Sequence, residues 1–153
     1  MKIKLLFHYL SYLQYPLMIF VIFFALEPYL NGFFDSEDKM NLALDSINNM
    51  LIFMGLGISF SSLQDTTKTS LKFEKKIWEN PKKGIWIIAL IILLSFSTLA
   101  FGVFGYFITE NEQIKEVSFG AIVLGVGLIG FLKTGIEVFD NHRKDKNVPT
   151  NIS

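Results

Sequence analysis

The stretch that decides the fold is residues 85–109, IWIIALIILLSFSTLAFGVFGYFIT, a run of 25 residues with no charged side chain. A helix rises about 1.5 Å per residue, so about 20 apolar residues cross the hydrocarbon core of a bilayer. A longer run must tilt or extend beyond the hydrocarbon. The stretch therefore predicts one transmembrane helix.

Three further apolar blocks accompany this stretch, and they cover residues 5–26, 44–63 and 117–139. The first block contains Pro16, which predicts a kink because proline removes one helical hydrogen bond. In the last block, Lys133 is expected to extend toward the membrane surface and to pair with Glu137 one turn later. The sequence thus predicts an all-α polytopic membrane protein, a four-helix transmembrane bundle within residues 1–139.

The composition excludes several classes of protein. Hydrophobic residues make up 51% of the chain and charged residues only 18%, whereas a soluble domain usually carries about a quarter charged residues. The chain has no cysteine, and its two histidines, His8 and His142, lie near opposite ends. We therefore expect no metal site, no cofactor and no catalytic residue, and we do not expect an enzyme. The abundance of Phe, Ile, Lys and Asn suggests an AT-rich bacterial genome, and hence a bacterial inner membrane.

Lysine and arginine are sorted by segment along the chain. If the N-terminus, the loop 65–84 and the tail 140–153 share one side, that side holds 12 of the 14 basic residues, Lys133 included. Basic residues near the ends of spans stay preferentially in the cytoplasm. The count predicts that both termini are cytoplasmic, with 65–84 as a basic loop and 140–153 as a flexible tail.

The basic loop also carries a short apolar pattern. Phe73 and Ile77 are four residues apart, which predicts a short helix that ends near Asn80 and lays an apolar edge on the membrane. Tryptophan is enriched at the membrane surface, and lysine reaches it from nearby positions. Four residues are therefore expected to act as interfacial anchors: Trp78, Lys82, Lys83 and Lys133.

The second span is the most polar of the four. Asp45, Asn48 and Asn49 share one helix face near its predicted outer end, and their oxygens suit a hard cation such as Na⁺ or Ca²⁺. Ser59 and Ser62, near the other end, extend this face into a predicted polar path. The alternative is that the first group is only a polar first turn, and that the serines bond to carbonyl groups of their own helix.

Two acids mark the predicted outer surface. Glu27 follows the first span and Asp45 lies near the start of the second. Together they are predicted to form an acidic mouth that concentrates cations. The alternative is that outer acids only complement the sorting of basic residues to the inside.

The fourth span is rich in glycine. Small residues four apart let another helix backbone approach closely. The span contains two such pairs, which predict helix packing within the chain or with a second copy: Ala121 with Gly125, and Gly130 with Thr134.

Two functions are compatible with these features. In the first, the chain is a subunit of a homo-oligomeric channel or transporter, with the second span lining a polar path and the acids forming its mouth. In the second, it is a non-catalytic structural or accessory subunit that packs through the second and fourth spans. The expected partners are the lipid bilayer, further copies of the chain and a cation, but no nucleic acid. Burying so many polar groups in one span needs water or partners, which favours the first function.

Overall fold

The computed structural model describes residues 2–31, 37–67 and 72–145. Within these residues, every regular element is a helix. Six helices follow one another along the chain: α1 (Lys2–Ser11), α2 (Gln14–Asn31), α3 (Glu37–Ser61), α4 (Lys72–Trp78), α5 (Pro81–Ile108) and α6 (Glu112–His142).

Four helical segments are long and apolar enough to cross a membrane: Leu5–Leu30, Met40–Ser61, Pro81–Ile108 and Glu112–His142. They coincide with the four predicted blocks, so the predicted fold class, an all-α protein with four transmembrane helices, is confirmed. Several ends extend beyond the blocks, because backbone hydrogen bonding continues into polar residues outside the hydrocarbon. Residues 140–142 of the predicted tail belong to α6, and residues 146–153 lie outside the described residues.

The first span is interrupted one turn before the proline rather than at it. α1 ends at Ser11, and the N–H groups of Tyr12 and Leu13 bond three residues back in a tight turn, each at 3.1 Å. Pro16 then lies in the first turn of α2, where the N–H that proline lacks has no helical partner to lose. The interruption falls here because the proline ring would clash with the carbonyl group four residues earlier, that of Tyr12.

The long helices form an open row in the order α2, α3, α6, α5. α3 packs against α2 and α6, and α6 packs against α3 and α5. Among the described residues, neither α2 nor α3 makes a substantial contact with α5, so the bundle is not closed into a ring. The last span in the chain therefore lies between α3 and α5.

α3 and α6 run parallel and meet along a contact that we call the seam. A Cβ atom added to Gly120 would lie 2.6 Å from Asn48 Oδ1, and one added to Gly55 would lie 2.7 Å from the carbonyl oxygen of Val123. Seven-residue spacing keeps one helix face turned toward a partner that crosses at about 20°. The seam has three levels with this spacing: Asn48 with Gly120, Gly55 with Gly127, and Ser62 with Thr134.

α5 runs antiparallel to α6 and also packs through small residues. A Cβ atom added to Gly102 would lie 2.8 Å from the backbone nitrogen of Ile122, and one added to Gly125 would lie 2.6 Å from Leu99. Lipid is as apolar as the helices, so packing in a membrane depends on close approach instead of on burial of large side chains. Accordingly, large residues such as Trp86, which is 78% exposed, point away from the row.

The two ends of the row differ in charge. We call the end that holds the start of α6 the acidic end, because Asp45, Glu112 and Glu116 lie there. The opposite end, which holds α4 and the start of α5, is the basic end. The charge count of the sequence predicts that the acidic end faces out of the cell and the basic end faces the cytoplasm.

Candidate functional site at the acidic end

A pair of carboxyl groups joins α3 to α6 at the acidic end. The side chains of Asp45 and Glu116 lie close to each other, although they are 71 residues apart in the chain. Two carboxyl groups that lie side by side create a local negative potential. The pair is therefore suited to bind positive charge.

Asn48 lies one turn deeper on α3 and supplies a third oxygen. Its Oδ1 atom is buried and has no hydrogen-bond partner within the described part of the chain. The side chain fits because it faces Gly120, where a Cβ atom would lie 2.6 Å from Oδ1. Leaving such an oxygen unsatisfied costs about 1–3 kcal/mol. The amide oxygen is therefore a strong candidate ligand for a proton donor or a cation.

An open groove of about 320 Å³ lies beside these groups. We call it the acidic groove. It lies between the start of α6 and the end of α5, and α3 contributes only Asn48 to its walls. Its lining residues are Asn48, Tyr106, Glu112, Lys115, Glu116 and Phe119. With the adjacent Asp45, three acids face one lysine, so the groove attracts cations.

The predicted polar face of α3 is thus only partly assembled at this end. Asp45 and Asn48 both face α6, whereas Asn49 is half-buried and does not line the groove. Among the described residues, no three His, Asp or Glu side chains are placed to hold a metal ion together. The available oxygens are therefore two carboxyl groups and one amide.

Glu27 does not join this group. Its Oε2 atom lies 2.8 Å from the hydroxyl oxygen of Ser46, which also lies 2.9 Å from the carbonyl oxygen of Leu42. Ser46 is only 1% exposed, so this contact fixes Glu27 between α2 and α3. α3 thus holds Glu27 on its α2 side, whereas Asp45 faces Glu116 of α6, and an acidic mouth of Glu27 and Asp45 stays a prediction.

The serines of the predicted polar path bond to backbone carbonyl groups. Ser59 donates to the carbonyl oxygen of Gly55 at 2.8 Å, and Ser62 donates to that of Ser59 at 2.7 Å. Between these serines and Asn48 lies the middle of the seam, where Gly55 and Gly127 are in direct contact. Within one chain, the polar residues of α3 therefore form two separate groups rather than a continuous path.

The predicted packing residues of α6 lie on both sides of this helix. Ala121 is 3% exposed, and Gly125 faces Leu99 of α5. Gly130 faces Ser62 of α3, and Thr134 donates to the carbonyl oxygens of Ser62 and Gly130 at 3.0 and 3.2 Å. The closest contacts of α6 with α3, however, involve Gly120 and Gly127. Gly120 and Gly127 are seven residues apart in the sequence. The pattern of small residues four apart therefore does not include them.

The predicted interfacial anchors behave differently from one another. Trp78 is only 8% exposed and packs against Phe139 of α6, with 6.4 Å between ring centroids. Lys82 and Lys83 are exposed, and Asn80 accepts hydrogen bonds from their backbone N–H groups. Lys133 is exposed, and its Nζ atom lies 3.7 Å from Glu137 Oε1, as the spacing predicted.

No match is found when the chain is compared with protein-family models, with curated proteins or with solved structures.

Proposed function

We propose that the chain is a subunit of a homo-oligomeric cation channel or transporter of the cell membrane, and that the acidic groove is its ion entrance. The observation that carries this proposal is the contact of Asp45 with Glu116, one turn above the unsatisfied Oδ1 atom of Asn48. With both termini in the cytoplasm, as the charge count predicts, the groove faces the outside.

The chemistry of the groove suits a small cation or a proton. Carboxylate and amide oxygens are hard ligands that prefer Na⁺, Ca²⁺ or hydrated cations. Asp45 and Glu116 would meet the ion first, and Asn48 would replace part of its hydration shell one turn deeper. These three residues are the ones that we propose to carry ion binding.

An oligomer is needed because one chain does not enclose a conduit. The seam between α3 and α6 is filled by glycine contacts at its middle level, and the row is open at the α2 and α5 edges. Beyond the groove, a polar route would therefore have to run between copies. This argument supports a homo-oligomer in which the acidic grooves of several copies face a shared path.

An accessory membrane subunit is the second candidate. The specific observation in its favour is that Ser59, Ser62 and Thr134 bond to backbone carbonyl groups of the chain itself. Because the close-packing faces of α3 and α6 are already used against each other, a partner protein would have to bind other faces of the row.

Cation flux into proteoliposomes tests the proposal. We expect the wild-type chain to carry Na⁺, Ca²⁺ or protons, and we expect Asp45→Asn and Glu116→Gln each to reduce the flux about tenfold, as for the loss of roughly 1.4 kcal/mol of ion stabilisation. Glu110→Gln is the matched control, because Glu110 is an exposed acid at the same end that does not line the groove. We expect this variant to stay within about twofold of wild type.

Absence of any flux from folded, reconstituted wild-type protein would contradict the channel or transporter proposal. The accessory function would then be the better interpretation. An equal loss of flux in Glu110→Gln would show that general surface charge matters and that the acidic groove has no specific role.

A further inference from the structure

A second groove, of about 610 Å³, lies at the basic end of the molecule. We call it the basic groove. It is formed by the end of α4, the start of α5 and the segment that follows α6. Its lining residues are Lys76, Glu79, Asn80, Pro81, Lys82 and Lys144.

The groove carries a net positive charge, because its one acid, Glu79, is already paired with lysine side chains. The Oε2 atom of Glu79 lies 2.8 Å from Lys144 Nζ, and its Oε1 atom lies 3.9 Å from Lys75 Nζ. The hydrogen bond from Lys144 holds the pKa of Glu79 below its ordinary value, so this carboxylate stays ionised and paired. Within residues 2–31, 37–67 and 72–145, Lys76 and Lys82 have no carboxylate partner, and both are exposed.

The position of Lys82 on α5 relates the groove to the membrane. Lys82 lies in the first turn of this span, and Trp86 lies one turn further on and is 78% exposed. Tryptophan is enriched at the depth of the lipid headgroups. A lysine one turn before it, at the start of the uncharged stretch, brings its ammonium group to the depth of the lipid phosphates.

The backbone around the groove is held in place by close packing. Gly84 lies directly against the ring of Phe139, which brings the start of α5 onto the end of α6. Trp78 packs on the same ring, and the backbone N–H of Lys144 donates to the carbonyl oxygen of Glu79 at 3.3 Å. The lysines are therefore presented from three segments that are fixed to one another.

We propose that the basic groove binds the phosphate group of an anionic phospholipid, with Lys76 and Lys82 as its main contacts. The lipid tails would lie along the exposed face of α5 that carries Trp86. Charge complementarity selects an anion, and the position of the groove at the start of a span selects a lipid over a soluble anion. This site is independent of the ion entrance proposed at the acidic end.

Lipid titration of the purified full-length protein, followed by native mass spectrometry, tests the proposal. We expect phosphatidylglycerol to bind more tightly than phosphatidylcholine. Each of Lys76→Gln and Lys82→Gln should weaken phosphatidylglycerol binding about fivefold, and the double variant about 30-fold, as expected for two lysines near a lipid phosphate. The double substitution of both lysines by arginine should restore binding, because it keeps both charges.

Lys133→Gln is the matched control, since Lys133 is equally basic and exposed but lies outside the groove. We expect it to change lipid binding less than twofold. An equal loss in this control, or equal binding of the two lipids by wild type, would overturn the proposal. Displacement of the lipid by millimolar inorganic phosphate would instead identify a soluble anion as the occupant and would also overturn it. Thermal unfolding of each variant shows whether it is folded. If the double variant does not fold, the two single variants still decide the test.

Discussion

At the basic end of the seam, Thr134 donates a hydrogen bond to the carbonyl oxygen of Ser62, 3.0 Å away. At the acidic end of the same seam, two heptads earlier, Asn48 faces Gly120, and its Oδ1 atom has no partner in the described structure. Both levels belong to the same contact of α3 with α6 and follow the same seven-residue spacing. They differ in whether the polar group is satisfied by the chain itself.

This difference separates a structural polar group from a candidate binding group. A buried hydroxyl that finds a carbonyl partner contributes to packing and needs nothing else. A buried amide oxygen without a partner lowers stability, and a bound ion or water molecule at that point would remove the cost. Between the two levels, Gly55 and Gly127 hold the helices together without any polar group. Each of the following predictions changes one level of the comparison.

The largest effect is expected at the middle level. In Gly127→Ala, the new Cβ atom would collide with the backbone of Gly55, which cannot rotate away, so the two helices must separate. We expect the free energy of unfolding to fall by about 3 kcal/mol, which is typical of overpacking in a rigid contact. Thermal or denaturant unfolding in detergent measures it.

Gly135→Ala is the matched control for this substitution. On the same helix, its Cβ atom would meet its nearest neighbours, Ile91 and Trp78, at 3.7 and 3.8 Å, which is ordinary van der Waals contact. We expect the free energy of unfolding not to fall, and to rise by up to about 1 kcal/mol because alanine has a higher helix propensity than glycine. Equal effects of the two substitutions would contradict the close contact of α3 with α6.

The next largest effect is expected at the basic-end level. Thr134→Val keeps the shape of the side chain but removes the hydrogen bond to the carbonyl oxygen of Ser62. We therefore expect the free energy of unfolding to fall by about 1 kcal/mol. We expect no change in ion flux. Thr98→Val on α5 is the control, because the described structure shows no hydrogen bond for Thr98. A large flux defect in Thr134→Val would contradict the structural role of this level.

A smaller change in stability is expected at the acidic-end level. Asn48→Ala removes an oxygen that has no protein partner. The loss of packing lowers the free energy of unfolding, whereas removal of a buried, unsatisfied oxygen raises it. We therefore expect the free energy of unfolding to change by less than about 0.5 kcal/mol. The same variant should lose cation flux. A destabilisation as large as that of Thr134→Val would indicate that Asn48 is a structural residue, and the contrast between the two levels would fail.

The smallest effect concerns pH at the basic end. Lys144 lowers the pKa of Glu79, so this pair stabilises the fold fully at neutral pH, and its contribution is lost as the pH falls through the lowered pKa. Lys144→Met should therefore lower the unfolding midpoint slightly at neutral pH, and the difference from wild type should vanish in acid. Lys133→Met is the control for loss of an exposed lysine. A difference that persists unchanged at about pH 3 would contradict this assignment.

The fold class was predictable because length and hydropathy act locally along the chain. The uncharged stretch 85–109 and its three companions define the spans without any knowledge of which helix neighbours which. The break before Pro16 was predicted only approximately, since the clash of proline acts four residues upstream. The bounds of the spans shifted because helix ends depend on backbone bonding as well as on apolarity.

The candidate site was only half predictable, because it depends on helix pairing. Asp45 and Asn48 were identified from α3 alone, whereas Glu116 lies just outside the fourth block and became visible only when α6 was placed beside α3. A weak signal existed, since Asp45 is the second residue of the block 44–63 and Glu116 directly precedes the block 117–139. Both acids therefore lie at the same predicted membrane depth. The contact of Trp78 with Phe139 could not be predicted, because the sequence does not show which residues of another helix lie beside it.

The central position of α6 has a consequence for biosynthesis. A ribosome delivers α6 after α2, α3 and α5, yet among the described residues neither α2 nor α3 makes a substantial contact with α5. Until translation reaches α6, these long helices consist of the α2–α3 hairpin and the separate helix α5, which have no substantial contact surface for each other. Packing of the row therefore waits for α6, and a polypeptide that stopped before α6 would leave the hairpin and α5 without contact to each other, exposed to quality-control proteases.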